Sequence, residues 1–299
     1  MESKPEHVYS TDHSVAVLRT HRWRTLANSA GYLLPHLRPD MTILDVGCGP
    51  GSITIDLARA VPQGNVTGVE YVPDPLDGAR ADAQAQAITN VSFIVADAHH
   101  LPFPDASFDV VHAHQVLQHL ADPVQALREM RRVVKPGGLV ACRESASMTW
   151  HPESKGIEAW LQLTTRVARA KGGNPHPGSR IHVWAEQAGF ASEMVEKSAG
   201  AWCFASAEER AYWGGSMAER AASSGFGEVA VEGGFATREE LEGIGRGGGV
   251  GGGDGGGDGG GAGCGIGIGG IGAGSGVRGG DGSGRDEVGL SGFMFLYSV

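Results

Sequence analysis

The stretch Met41-Thr42-Ile43-Leu44-Asp45-Val46-Gly47-Cys48-Gly49-Pro50-Gly51 sets the frame for the whole chain. Its first six residues read as a buried strand, and Ser52 to Ala60 as the helix that follows. Between them, glycines at 47, 49 and 51 let the backbone turn sharply. They also let a ligand approach the N–H groups at the start of the helix. A glycine loop alone is weak evidence, but its context strengthens it. Glu70 ends the next strand, about 19 residues beyond Gly51, where an acidic side chain grips ribose hydroxyls. Asp97 ends the strand after that and comes to the same edge of the sheet.

Working outward, strand and helix patterns alternate from 41 to 145. Val66–Glu70, Val91–Val95 and Phe108–Ala113 read as strands. The Ala-rich run around Ala79–Ala87 reads as a helix, and Pro123–Val134 as another, opened by Asp122 with Pro123 at its first position. Lys135-Pro136-Gly137-Gly138 turns into a fifth strand, Leu139–Arg143. Such alternation predicts an α/β fold, a mostly parallel sheet covered by helices on both faces. Residues 1–40 read as a helical lead-in, with Val15, Leu18, Trp23, Leu26, Ala30, Leu33 and Leu34 near helical spacing, broken by Pro35 and Pro39. Residues 146–244 read as mostly helical, with one strand at Glu193–Phe204. Trp150, Trp160, Trp184, Trp202 and Trp213 fall here, either as packing residues of a second helical layer or as walls of a pocket for a flat apolar substrate.

The loop's ligand follows from charge. A dinucleotide would set a diphosphate over the glycines, where Asp45 opposes it. The wider G-x-G-x-x-G pattern is also absent, because Ser52 follows Gly51. S-adenosylmethionine carries a sulfonium and an ammonium in that region, and a carboxylate-bearing loop suits them.

At this point the sequence resembles the class I methyltransferases, especially the ubiquinone/menaquinone-biosynthesis type with its methyltransferase type 11 domain. The matching stretches are Ile43 to Gly51, then Leu101-Pro102-Phe103-Pro104-Asp105-Ala106-Ser107-Phe108-Asp109-Val110-Val111, then Glu129-Met130-Arg131-Arg132-Val133-Val134-Lys135-Pro136-Gly137-Gly138. Pieces of the lead-in, such as Trp23-Arg24-Thr25, and Phe235-Ala236-Thr237-Arg238-Glu239-Glu240-Leu241-Glu242 extend the likeness to residues 8–244. It implies a Rossmann-like three-layer αβα methyltransferase fold with a helical substrate lid over 146–244 and S-adenosyl-L-methionine as cofactor. The donor set it implies includes Asp45, Gly47, Cys48, Gly49 and Gly51, with Asp45, Gly47 and Gly49 at the methionine part. Glu70 would hold the ribose, Tyr71 would lie beside the adenine, Asp97 would accept from the adenine amino group, and Ala98 would donate a backbone N–H. His114 and Gln115 would lie near the methyl and the methionine tail. Candidate bases are His114, then His119, then His21. Strand alternation puts His112 and His114 on one face and Val111 and Ala113 on the other. For each histidine singly, packing or capping is the competing role, and a turn cap is the competing role for Asp97.

The rest of the chain constrains partners. The 299 residues carry a formal net charge of −10, which disfavours nucleic acid. The basic cluster Arg128, Arg131, Arg132 and Lys135 reads as a solvated helix face. Cys48, Cys142, Cys203 and Cys264 have no metal-ligand spacing, so a reduced, metal-free protein is expected. No apolar run is long enough to span a membrane, and the N-terminus has neither a signal-peptide core nor an Arg-rich transit pattern, so cytoplasmic residence is expected. More than half of the chain's 49 glycines lie in 245–289, which reads as a flexible, low-complexity linker, an expansion or a gene-model artefact. It stands where the family carries a tryptophan-containing helix, and 290–299 is the candidate for the family's last antiparallel strand. The acceptor is expected to be a small molecule, a quinone precursor or secondary metabolite. A non-catalytic, methyltransferase-like binding protein and a nicotinamide oxidoreductase are the rival classes.

Overall fold

Strand β1, Thr42–Val46, is apolar on both faces because both are covered: Ile43 and Leu44 are fully buried. It pairs in parallel with β2, Asn65–Glu70, and with β4, Phe108–His114. β3, Val91–Val95, adds outside β2, and β5, Val134–Ser147, outside β4, giving five parallel strands in the order β3-β2-β1-β4-β5. The computed structural model describes residues 15–151, 153–223, 225–248, 265–267 and 290–298.

Side-chain alternation sorts two cores. Ile43, Val110 and Ala141 join the cluster of Leu26, Leu33 and Leu57, built from the lead-in and α3, Ser52–Ala60. Leu44, Val111 and Cys142 join Leu127, Met130 and Trp184 on the other face, carried by α5, Pro123–Val133, and α7, Ile181–Gln187. Helix α4, Asp74–Ala85, packs Leu76, Ala79 and Ala83 against Phe93. Burying a Leu or Met such as Leu127 or Met130 contributes about 1.5–3 kcal/mol. The three-layer α/β arrangement expected from the sequence is present.

Several boundaries differ from the expectations. The lead-in is three short segments: α1, Val15–Arg22, α2, Leu26–Ser29, and a 3-10 turn over Gly31–His36 that contains Pro35 instead of ending at it. Thr25 starts the second helix through a reciprocal cap: its hydroxyl accepts from the Asn28 N–H at 3.1 Å, and the Asn28 side chain accepts from the Thr25 N–H at 2.8 Å. Helix α4 begins five residues before Ala79, where Asp74 and Asp77 favour a helix start. Strand β5 starts at Val134, and its pairing with β4 skips from Phe108↔Val134 to Val110↔Leu139, so residues 135–138 bulge out of the ladder.

Beyond β5 the sheet becomes antiparallel. Strand β9, Leu290–Ser298, lies between β5 and β7, Val195–Phe204, with Arg143↔Met294 on one side and Ser198↔Met294 on the other. The short β6, Thr149–His151, and β8, Gly265–Gly267, complete the far edge. Helices α6, Lys155–Ala170, α8, Ala207–Ser223, α9, Gly225–Glu232, and α10, Arg238–Gly248, share a small core around Leu163, Val167, Phe226 and Leu241. Within the glycine-rich tract, residues 245–248 continue α10 and 265–267 form β8, while the remainder lies outside the described residues.

A cavity between the glycine loop and the helical lid

The strand order reverses between β1 and β4, so their following loops diverge and leave a crevice at the carboxyl edge of the sheet. In the first loop Gly47, Gly49 and Gly51 all adopt left-handed backbone, with φ of +67°, +52° and +78°. Their surroundings differ. A side chain at Gly47 would strike Val116, and one at Gly51 would stand 2.8 Å from the Ala79 Cβ and 2.9 Å from Phe93. At Gly49 nothing lies within 4 Å, and this glycine faces the crevice.

Carboxylates frame the loop. The Glu70 side chain accepts from the Gly49 N–H at 3.0 Å and from the Tyr71 N–H at 2.8 Å. Asp45 is buried and accepts from the Thr54 hydroxyl at 2.6 Å and from His112 Nδ1 at 2.7 Å. A carboxylate has about four acceptor positions, so these bonds leave capacity for a ligand donor. Burial, with Asp45 and Glu70 adding to it, raises the Cys48 thiol well above its ordinary range, so this cysteine is a thiol and a poor nucleophile.

A cavity of ≈ 430 Å³ runs from this loop to the lid. Among the residues expected at the site, Asp45, Gly47, Cys48, Gly49, Glu70, His114, Gln115, His119 and His21 line it. Gly51, Tyr71, Asp97 and Ala98 do not. Gly51 packs against α4 and β3. Tyr71 is half exposed just past Glu70, and Ala98 is buried in the core that includes Val69. Asp97 caps its own turn, accepting from the His99 N–H at 2.8 Å and from His99 Nδ1 at 2.9 Å. Of the five tryptophans noted in the sequence, Trp160, Trp202 and Trp213 line the cavity; Trp184 is core, and Trp150 lies in β6.

The second loop follows β4. His112 and His114 do share a face, their rings 6.5 Å apart and within 7° of parallel. Neither ring nitrogen of His114 has a hydrogen-bond partner, and burial, then Arg24 and Arg143, hold its pKa well below the usual histidine value. Gln115 has left-handed backbone at φ +55° and accepts from Arg24 Nη2 at 2.8 Å. Glu144, within β5 and fully buried, accepts from the Val116 and Leu117 N–H groups at 2.8 and 2.7 Å and so fixes the turn that carries His119. Burial pushes its pKa up to about 8. Sequence reasoning missed Glu144, Arg24, His176 and Arg220. For Arg24 a signal existed, because the Thr25–Asn28 cap forces a break just before it. For the others no local pattern points to the crevice.

The parallel order β3-β2-β1-β4-β5, the glycine loop after β1 and the acidic residue ending β2 define a Rossmann-like α/β protein with its crevice at the carboxyl edge of the sheet. The sequence comparisons place it among the methyltransferases. The chain belongs to the methyltransferase domain family, whose profile matches residues 37–199. It is 41% identical over 202 residues to an uncharacterized methyltransferase of Schizosaccharomyces pombe, covering 65% of this chain and 72% of that protein. It is also 32% identical over 159 residues to the probable methyltransferase ltbC of Aspergillus luteorubrus, covering 50% of this chain and 56% of that one. With the demethylmenaquinone methyltransferase of Staphylococcus aureus it shares 40% identity over 114 residues, 38% of this chain and 46% of the other. The chain thus spans about half the length of the latter two. Among solved structures, YcgJ of Bacillus subtilis is similar in fold at a TM-score of 0.52 and 15% identity, over 90% of this chain and 97% of its own.

Among the described residues no helix is long and apolar enough to cross a membrane, and no group of side chains has the makings of a metal site.

Proposed function

We propose that the chain transfers a methyl group from S-adenosylmethionine to a small, flat acceptor held beneath Trp160, Trp202 and Trp213. The observation that carries this is one continuous cavity joining the glycine loop to those tryptophans. The loop end suits the donor: Gly49 is open where a side chain would stand, and Asp45 and Glu70 offer acceptors to an ammonium and to hydroxyls. In this reading Asp45, Gly47 and Gly49 face the methionine part, and Glu70 takes the ribose. Tyr71, Asp97 and the Ala98 N–H serve the adenine at the sheet edge outside the cavity. Cys48 contributes wall, and Gly51 supports the loop by packing.

When bound, the donor supplies a methyl already activated by positive sulfur. The chain's own task is to hold the nucleophile about 3 Å from that methyl, in line with the bond to be broken. A base is needed only for an acceptor that arrives protonated. His114 is poorly suited, since its imidazolium would be buried beside Arg24 and Arg143. His119 and His21, on the same wall and less buried, are the better bases.

Calorimetric titration with S-adenosylmethionine, with NADH as comparison, tests the donor half. Selective micromolar binding is expected, and binding of NADH alone would overturn it. Release of S-adenosylhomocysteine in a screen of aromatic acceptors tests the transfer. Donor binding with no turnover across phenols, aromatic acids and quinols would favour a binding role instead.

A further inference from the structure

The carboxylate of Asp45 is held by two elements at once. Its Oδ2 accepts from the Thr54 hydroxyl of α3 at 2.6 Å, and its Oδ1 lies 2.7 Å from His112 Nδ1 on β4. A carboxylate only accepts, so Nδ1 carries the hydrogen and donates. All three side chains are buried, Thr54 and His112 completely. The sheet register accounts for the pairing: Asp45 stands opposite His112 on one side and opposite Gly68, which has no side chain, on the other. His112 Nε2 has no hydrogen-bond partner, so the ring's one hydrogen bond is the one to Asp45. Stability alone does not explain this pair. Burying an imidazole and a carboxylate costs free energy, and an apolar pair of similar shape is often as stable or more so. What the arrangement does supply is a fixed direction. With one bond on each oxygen, the carboxylate is held against rotation, and its remaining lone pairs keep one orientation. Asp45 lines the cavity together with Gly47 and Gly49, whereas His112 stands behind it and does not.

We infer that His112 is a positioning residue for the donor: through its bond to Asp45 it aims that carboxylate at the ammonium of the donor's methionine part. This rests on the methyl-transfer reading, in which Asp45 faces that part, and adds the group that orients it. An acceptor already fixed in its bound direction loses little freedom when the ammonium arrives, so the contact is stronger than one made by a rotating carboxylate. The effect belongs to the ammonium alone. Recognition of the adenosine, at Glu70 and beyond, does not pass through His112.

The test titrates the full chain calorimetrically with two probes, S-adenosylhomocysteine and its desamino analogue, which differs only in lacking the ammonium. The parent chain is expected to prefer S-adenosylhomocysteine by about tenfold or more. His112→Leu is expected to shrink that preference to about threefold or less while leaving the desamino analogue within about twofold of its parent affinity. His112→Asn, whose amide N–H can take the place of Nδ1–H, should restore most of the preference. Thr54→Val keeps the shape of the side chain and removes the bond to the other oxygen, so it should act in the same direction as His112→Leu. This second variant, with His112→Asn, carries the test if His112→Leu does not fold. A merely structural role would weaken both probes alike. Equal weakening of the two, a preference unmoved by His112→Leu and Thr54→Val, or His112→Asn no better than His112→Leu would overturn the inference alone. A parent chain that binds neither probe would overturn the methyl-transfer reading, and the inference with it.

Discussion

Gly49 and Gly51 are two positions apart and serve different ends. Gly51 is hemmed in by Ala79 and Phe93, while Gly49 borders open space. Gly51→Ala is therefore expected to cost about 2–4 kcal/mol, from overpacking and left-handed strain together. Gly49→Val should cost about 1–2 kcal/mol of strain yet weaken S-adenosylmethionine about tenfold or more by filling the cradle. Urea unfolding and calorimetry on both variants separate the two effects, and equal donor affinities would refute the distinction. Glu144 provides a pH signature. Its folded-state pKa, raised to about 8 by burial, exceeds the ordinary value near 4.3 of an unfolded carboxyl. The folded protein then holds this proton more tightly than the unfolded chain does. The corresponding stability is full below about pH 4 and is lost as pH rises through the window up to about 8. Glu144→Gln keeps the acceptor for the Val116 and Leu117 N–H groups and removes the titration. Unfolding midpoints should thus fall less between about pH 5 and about pH 8 in the variant than in the parent. Parallel midpoints would show that Glu144 does not titrate in this window.

Among the elements, α5 is the most completely specified by local chemistry. Asp122 accepts from the Gln125 N–H at 2.9 Å, Pro123 opens the helix, and Ala126, Leu127, Met130 and Val133 form one buried stripe. Asp122→Ala is expected to lower stability by about 1 kcal/mol, read by denaturant unfolding, with donor affinity unchanged. That helix was legible in sequence because cap, proline and periodicity agreed. The lead-in was less so: apolar spacing runs through Trp23 to Thr25, but the cap at Thr25 restarts the helix and turns Trp23 into the ring cluster of Trp202, Phe204 and Trp213. Strand β9 is decided furthest from its own sequence. It gives and takes backbone hydrogen bonds on both sides, so Met294→Pro should remove ladder bonds that a central strand cannot replace. The expected result is a loss of about 3 kcal/mol or more, by analogy with proline in a helix interior, and faster hydrogen exchange in β5 and β7. Donor affinity should persist, since the glycine loop lies three strands away in the sheet order. Unchanged exchange in β7 would mean that β9 does not hold the sheet together.

At the scale of the molecule, donor binding and stability are linked. Anything that binds only the folded chain stabilises it by about 2.7 kcal/mol at a hundred times its dissociation constant. S-adenosylmethionine should accordingly raise the thermal midpoint at such a concentration, and NADH should not; a shift with NADH alone would reverse the assignment of the loop. The sequence by itself determined the parallel α/β frame, the order of its elements and the glycine loop with Asp45 and Glu70, because these are written in local periods, caps and spacings that a strand or helix obeys wherever it lies. It also brought His21, His114 and His119 forward as candidates, and all three reach one cavity. Only the tertiary structure decided that His114 is buried among positive charges while His119 and His21 are less buried, that Asp45 is shared with Thr54 and His112, and that Arg24, Trp202 and Arg220 line one cavity with the glycine loop. Those side chains come from the lead-in, a strand and a lid helix far apart in the chain. Their convergence depends on how the crossovers pack, and no short-range pattern records that.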